Sequence, residues 1–144
     1  MSWQALENGN KELADFGRRR FSSRVAYLGT IRKDGSPRVH PVTPFIVDGN
    51  LFVGMYPTSP KGHDLRRDGR YALHCSVEDD EGGGGEFAIS GHAKVTEDPA
   101  FRTLAIEHAP YELLENHVLF LLKVERALST IYFEDETKQM RWQA

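Results

Sequence analysis

The chain reads as an α+β domain that is mainly antiparallel β, with about six strands and short flanking helices. Two kinds of signal carry that reading. Asp34-Gly35 and Asp48-Gly49-Asn50 are tight turns between alternating segments, the pattern of consecutive hairpins. Ser59-Pro60 and Asp98-Pro99 open segments of helical composition, which Asp68-Gly69 and Pro110 close. Hairpin-joined strands pair antiparallel, and about six of them can close into a small barrel with helices at its ends.

Residues 3–21 predict a helix. Leu6, Leu13, Phe16 and Arg20 recur at near-helical spacing, and Gly9 and Gly17 are the places where it can split. In the next segment, residues 23–47, Val25, Tyr27 and Gly29 alternate with Ala26, Leu28 and Thr30 as a first strand. Asp34-Gly35 turns the chain, and residues 37–45 return. Pro37, Pro41 and Pro44 cannot donate to a ladder, so part of this second strand is an edge or is bulged. Residues 51–55 complete a β-meander. A short helix follows, with Ser59 as N-cap and Pro60 at its first position, where a missing N–H does no harm. Residues 70–77 and 86–96 are the fourth and fifth strands, separated by a loop (78–85) that is acidic, then all glycine, and expected to be mobile. Asp98-Pro99 caps a helix with Phe101, Leu104 and Ala105 on one face, and residues 111–116 are expected to add a turn of helix. Residues 118–133 read as one long bent strand or two, and the tail is polar until Trp142. No internal repeat is visible.

The 144 residues suit one domain, with 1–22 as its N-terminal helix and 134–144 as its C-terminal tail. Such a chain buries roughly 70 % of its unfolded surface, enough for a core without staples. With 18 Lys+Arg against 21 Asp+Glu, the net charge of −3 argues against nucleic acid or an anionic membrane as partner. Cys75 is the only cysteine, which excludes an intrachain disulfide and a structural zinc site built on cysteines, and fits a reducing compartment. The first ten residues are polar and hold no secretory h-region, so a cytoplasmic location is expected. The longest apolar run, 118–122, ends at Lys123, far short of the ~20 residues that span a membrane.

Few residues suggest chemistry. Thr58-Ser59-Pro60-Lys61 would place a hydroxyl cap and a lysine at a helix N-terminus, where free N–H groups favour an anion such as phosphate; an ordinary capped helix is the plainer reading. Arg38, His40 and Val42 share one strand face, so two basic side chains either meet an anion or form an exposed polar face. Gly82, Gly83, Gly84 and Gly85 do not make a phosphate cradle, because Glu78, Asp79, Asp80 and Glu81 precede them. Arg18, Arg19 and Arg20 read as a solvated helix end. The six histidines show no metal-ligand spacing, and no Ser–His–Asp order or paired-carboxylate motif stands out.

Several stretches in order resemble the pyridoxamine 5′-phosphate oxidase-like, flavin-binding split-barrel superfamily. Val25-Ala26-Tyr27-Leu28-Gly29-Thr30 and Asp34-Gly35-Ser36-Pro37-Arg38-Val39-His40-Pro41-Val42 are similar to its opening hairpin. Leu51-Phe52-Val53-Gly54, Ser59-Pro60-Lys61 and the stretch from Asp64 to Leu73 resemble its next block. Phe87-Ala88-Ile89-Ser90-Gly91-His92-Ala93 and the terminal Arg141-Trp142 resemble its later strand and its tail. The resemblance implies a six-stranded antiparallel Greek-key split barrel working as a homodimer, with FMN at the subunit interface and a small-molecule substrate. On that reading His40, Pro41, Val42 and Thr43 run along the flavin ring, and Gly54 and Met55 end the third strand beside it. Thr58, Ser59 and Lys61 belong to the phosphate step, with Arg38 near it on the second strand; Glu86 faces the flavin, and Trp142 packs near the flavin of the partner.

The resemblance also has departures. The vitamin B6 oxidase carries arginine where Pro60 and His40 stand and a basic residue where Phe45 stands, and its C-terminal substrate-binding block is not recognisable here. The wording is closer to a bacterial subgroup related to that oxidase. An FMN-dependent oxidoreductase is therefore expected. The alternatives are a reductase using the deazaflavin F420, whose acidic tail Arg18, Arg19, Arg20, Arg66 and Arg67 would have to meet, a flavin- or haem-binding protein without turnover, or a barrel with no cofactor.

Overall fold

The N-terminal segment folds as two helices, α1 (Gln4–Gly9) and α2 (Lys11–Phe21). The break falls at Asn10, whose extended backbone leaves the helix and whose side chain accepts the Leu13 N–H at 3.1 Å, capping α2. Gly9 thus ends a helix, but Gly17 does not split one. It lies inside α2 at a close approach to the Phe87 ring, where a Cβ would not fit. The computed structural model describes residues 2–22 and 24–144; Met1, and Ser23 at the start of the expected second segment, lie outside them.

Among the described residues eight strands follow, all paired antiparallel: β1 (Ala26–Ile31), β2 (Pro37–Val42), β3 (Phe45–Val47), β4 (Asn50–Met55), β5 (Arg70–Cys75), β6 (Glu86–Val95), β7 (Val118–Tyr132) and β8 (Thr137–Gln143). Helix α3 (Pro60–Arg67) joins β4 to β5, and α4 (Pro99–His108) lies between β6 and β7. There are eight rather than six for two reasons. The expected second strand is interrupted at Thr43-Pro44 into β2 and β3, and the polar tail is itself a strand. β8 pairs with the second half of β7, Arg126 to Tyr132, on the edge that β4 uses along the first half. Its residues are mostly exposed, so no apolar alternation announced it. Residues 111–116 form no helix, and β7 is one continuous strand.

The sheet runs β2-β1-β5-β6-β7-β4-β3. Its first and last strands are separated in the chain only by Thr43 and Pro44, so the sheet curls until its ends are neighbours. It does not close. β3 covers β4 only from Asn50 to Phe52, and Val53, Gly54 and Met55 pair with β7 alone. The prolines explain why: Pro41 and Pro44 carry no N–H with which to bridge the gap.

β7 bends at a bulge, where Ser90 faces Arg126 but Gly91 faces Val124, leaving Glu125 as the extra residue. Gly91 is required there, because a Cβ would sit far inside contact with the Lys123 carbonyl. The core fills the barrel with Trp3, Leu28, Leu73, Phe87 and Leu122, all at most 1 % exposed. Phe87 meets Phe21 edge-on at 5.1 Å and Trp3 at 6.0 Å. Each such side chain contributes about 1.5–3 kcal/mol by burial. A second cluster (Phe45, Phe52, Ala105, Leu113 and Leu119) packs under α4, which Asp98 caps through the Ala100 N–H at 2.9 Å.

The loop 78–85 is folded into turns held by Asp79. Asp79 Oδ1 accepts the N–H groups of Glu81 and Gly83, both at 2.9 Å, and Gly82, Gly84 and Gly85 take positive φ there.

Candidate functional site at the barrel split

Where β4 loses its partner strand, a cavity of about 350 Å³ opens. Pro41, Val42 and Thr43 form one lip, and Gly54 and Met55 the other. Lys61, in the first turn of α3, also lines it, and the segment after α4 supplies Tyr111, Glu112 and His117. Six residues expected from the sequence (Pro41, Val42, Thr43, Gly54, Met55 and Lys61) thus come together around one space.

Lys61 is half-buried, and burial pushes its ammonium down from the usual lysine range. It donates to Ser59 Oγ at 2.8 Å, and among the described residues no carboxylate pairs with it. Ser59 occupies the N-cap position and Pro60 the first turn, as expected, but the Ser59 hydroxyl makes no bond to the helix N–H groups; it holds the lysine instead.

Helix α3 is tied to the sheet through Asp64, a carboxylate only 4 % exposed. It accepts Thr30 Oγ1 at 2.8 Å, Arg38 Nε at 2.7 Å and Arg67 Nη2 at 3.0 Å. Arg38, expected near an anion site, pairs here with Asp64 and does not line the cavity. The position of Lys61 depends on this anchor, three residues along the same helix.

The gap in the ladder is sealed by a side chain. Tyr111 sends its hydroxyl to Gly54, accepting the N–H at 2.9 Å, so part of the unpaired edge of β4 is satisfied without a strand. Burial pushes the Tyr111 phenol up, with the Gly54 N–H opposing. Gly54 leaves room for this approach: a Cβ there would lie 2.5 Å from Leu113 Cδ1.

The remaining expected residues lie outside this cavity within one chain. His40 is exposed on β2, with Nδ1 2.8 Å from the Pro41 carbonyl. Thr58 is exposed before α3. Glu86, at the start of β6, accepts the Tyr132 hydroxyl. Trp142, on β8, rests on Gly9 and lines a different groove with Ser90, Arg126 and Arg141. Of the arginines that an acidic cofactor tail would need, Arg18 pairs with Glu7, Arg20 is buried against Glu78 and the Ser76 carbonyl, and Arg67 is held by Asp64. Sequence reasoning missed Tyr56, Tyr111, Glu112 and His117. Their signal was weak: polar and aromatic residues in irregular segments beside regular elements.

No family model and no curated protein matches the chain. Solved structures do. A NimC/NimA family protein from Clostridium acetobutylicum superposes with a TM-score of 0.66 at 19 % identity, over 94 % of this chain and 93 % of that one. A protein related to general stress protein 26, of the pyridoxinephosphate oxidase family and from the same organism, gives 0.63 at 14 % identity, over 91 % and 94 %. A heme-binding protein from Mycobacterium smegmatis gives 0.64 at 16 % identity over 87 % of this chain; the chain spans only 57 % of that protein's length. The antiparallel sheet curled around an unclosed gap is thus the split-barrel fold that this chain shares with proteins of the pyridoxamine phosphate oxidase type.

Proposed function

We propose that the chain binds FMN at the barrel split and serves as an oxidoreductase for a small molecule. One observation carries this reading: a half-buried lysine with no carboxylate partner among the described residues, lining a cavity whose lips are mostly apolar. Burial disfavours the Lys61 ammonium, and an anionic group beside it would relieve that cost. The cavity volume lies at the small end of the ~300–1,000 Å³ usual for ligand sites, which suits a site completed by a second copy.

A bound flavin supplies the redox chemistry, and the chain supplies binding, orientation and exclusion of water. Lys61 and Ser59 hold the phosphate. The Pro41-Val42-Thr43 lip and the Gly54-Met55 lip flank the ring. A homodimer belongs to the same proposal. The outer face of β1, β2 and β5 exposes Tyr27 (46 %) and Val39 (70 %) beside Gly29 and Ala72, which suits docking of a second copy. Glu86 and Trp142 would then reach a cofactor only across that interface.

The test is an FMN titration followed by flavin fluorescence for wild type and Lys61→Ala. Saturable binding that the variant weakens by about 1–3 kcal/mol is expected. No saturation at millimolar FMN refutes the reading. The absorbance of the purified protein separates FMN from F420. A second reading, haem binding, draws on His40: with Nδ1–H directed at the Pro41 carbonyl, Nε2 keeps an exposed lone pair, the usual arrangement of a ligating histidine. A Soret band on haem titration that His40→Ala abolishes would support it.

A further inference from the structure

His117 forms part of the cavity wall and is held from its backbone outward. Arg102 Nη1 donates to its carbonyl at 2.7 Å, and Arg102 Nη2 donates to the carbonyls of Leu114 and Glu115 at 2.7 and 2.8 Å. The His117 Nδ1 lies 3.0 Å from the Leu114 backbone N. A backbone N–H can only donate, so Nδ1 is the acceptor, and in the neutral ring the hydrogen sits on Nε2. That Nε2–H is buried and has no hydrogen-bond partner. Buried donors are almost always paired, so an orphan beside a ligand-sized cavity calls for an acceptor. The Tyr56 ring packs perpendicular to the imidazole with centroids 4.8 Å apart. Tyr56 is 66 % exposed, so it is the neighbour free to move aside.

We infer that His117 is a specificity-determining residue of this site, its Nε2–H donating to a carbonyl-type oxygen of the bound ring while Lys61 holds the anionic end, with Tyr56 displaced as the ligand enters. The inference rests on the flavin reading of the cavity. It also separates the two histidines beside the split. His117 does not ligate a metal through Nε2, because freeing that lone pair would move the hydrogen to Nδ1 and leave the Leu114 N–H without its acceptor.

Nitrogen-15 NMR of the imidazoles in the free protein, followed by FMN titration of wild type, His117→Phe and His117→Gln, tests it. The expected results are an Nε2–H tautomer, an Nε2 signal that shifts on FMN saturation, and FMN binding about 5- to 50-fold weaker in His117→Phe. Glutamine can accept from Leu114 and donate into the cavity, so His117→Gln should recover most of the loss. An Nδ1–H tautomer, an Nε2 signal indifferent to FMN, or equal affinity in wild type and His117→Phe overturns the inference and leaves the flavin reading standing. Should His117→Phe fail to fold, the Nε2 shift in wild type decides. Absence of FMN binding to wild type defeats both together.

Discussion

Asp64→Ala removes the carboxylate through which α3 is held to β1 and β2. Truncating one partner of a buried ion pair costs about 3–5 kcal/mol when the other charge is stranded. Here the stranded charges have an escape, since the Arg38 and Arg67 side chains are 27 % and 38 % exposed and can turn to water. Thr30 has none. At 3 % exposure its hydroxyl is left buried and unpaired, which alone costs about 1–3 kcal/mol. We therefore expect a loss of about 2–4 kcal/mol, or a fall in Tm of roughly 5–12 °C. Asp64→Asn, which keeps acceptor oxygen but no charge, should lose about half as much. Urea unfolding followed by the fluorescence of Trp3, fully buried in the core, measures both. A loss below about 0.5 kcal/mol for Asp64→Ala would refute the assignment of Asp64 as anchor. The pH dependence offers an independent check. Burial pushes the Asp64 carboxyl up, but the hydrogen bonds from Arg38, Thr30 and Arg67 outweigh it and leave it below the usual range. Its stabilisation is therefore present above about pH 4 and lost as pH falls through the lowered value. Asp64→Asn should flatten that acid limb.

Gly91→Ala should destabilise by about 3 kcal/mol or more, because its Cβ would meet the backbone carbonyl of Lys123, which no rotamer change can move; a stability within 1 kcal/mol of wild type by urea unfolding would show that the bulge tolerates a side chain. His74 should titrate near pH 9 by NMR: its hydrogen bond to Cys75 raises it, burial opposes, and the charge of Glu86 adds to the rise. A folded value above the unfolded ~6.5 means that this contribution is present below that pH and lost as pH rises through about 9. A midpoint at or below 6.5, or one that Glu86→Gln fails to lower, would contradict this.

The legible parts of the fold were those written in a few adjacent residues. Gly35 and Gly49 take positive φ, at 88° and 74°, where their turns were expected. Pro60 and Pro99 stand in the first turns of α3 and α4. Pro37 and Pro41 lie on β2, the strand at one end of the sheet. The tail was harder. Thr137–Gln143 became a strand because the free half of the β7 edge accepted its backbone, and backbone pairing leaves no side-chain pattern to read. The turn of helix expected at 111–116 failed because Tyr111 and Leu113 are drawn onto β4 and the second core cluster instead.

The site divides in the same way. The two lips and Lys61 could be read in advance, from the resemblance and from the helix signal at Ser59-Pro60. Arg38 could not: in sequence it is a basic residue on a strand face, and its role appears only when Asp64, 26 positions later, arrives beneath it. His117 is a loop histidine until Arg102 and Leu114 lock its ring with a buried hydrogen and no acceptor. The sequence by itself determined where the chain turns, where helices begin and which strand stands at an edge, because those depend on the φ preferences and missing donors of single residues. Only the tertiary structure decided that the sheet stops short of closure and which polar groups face the gap, because those depend on contacts between distant segments that no local pattern encodes.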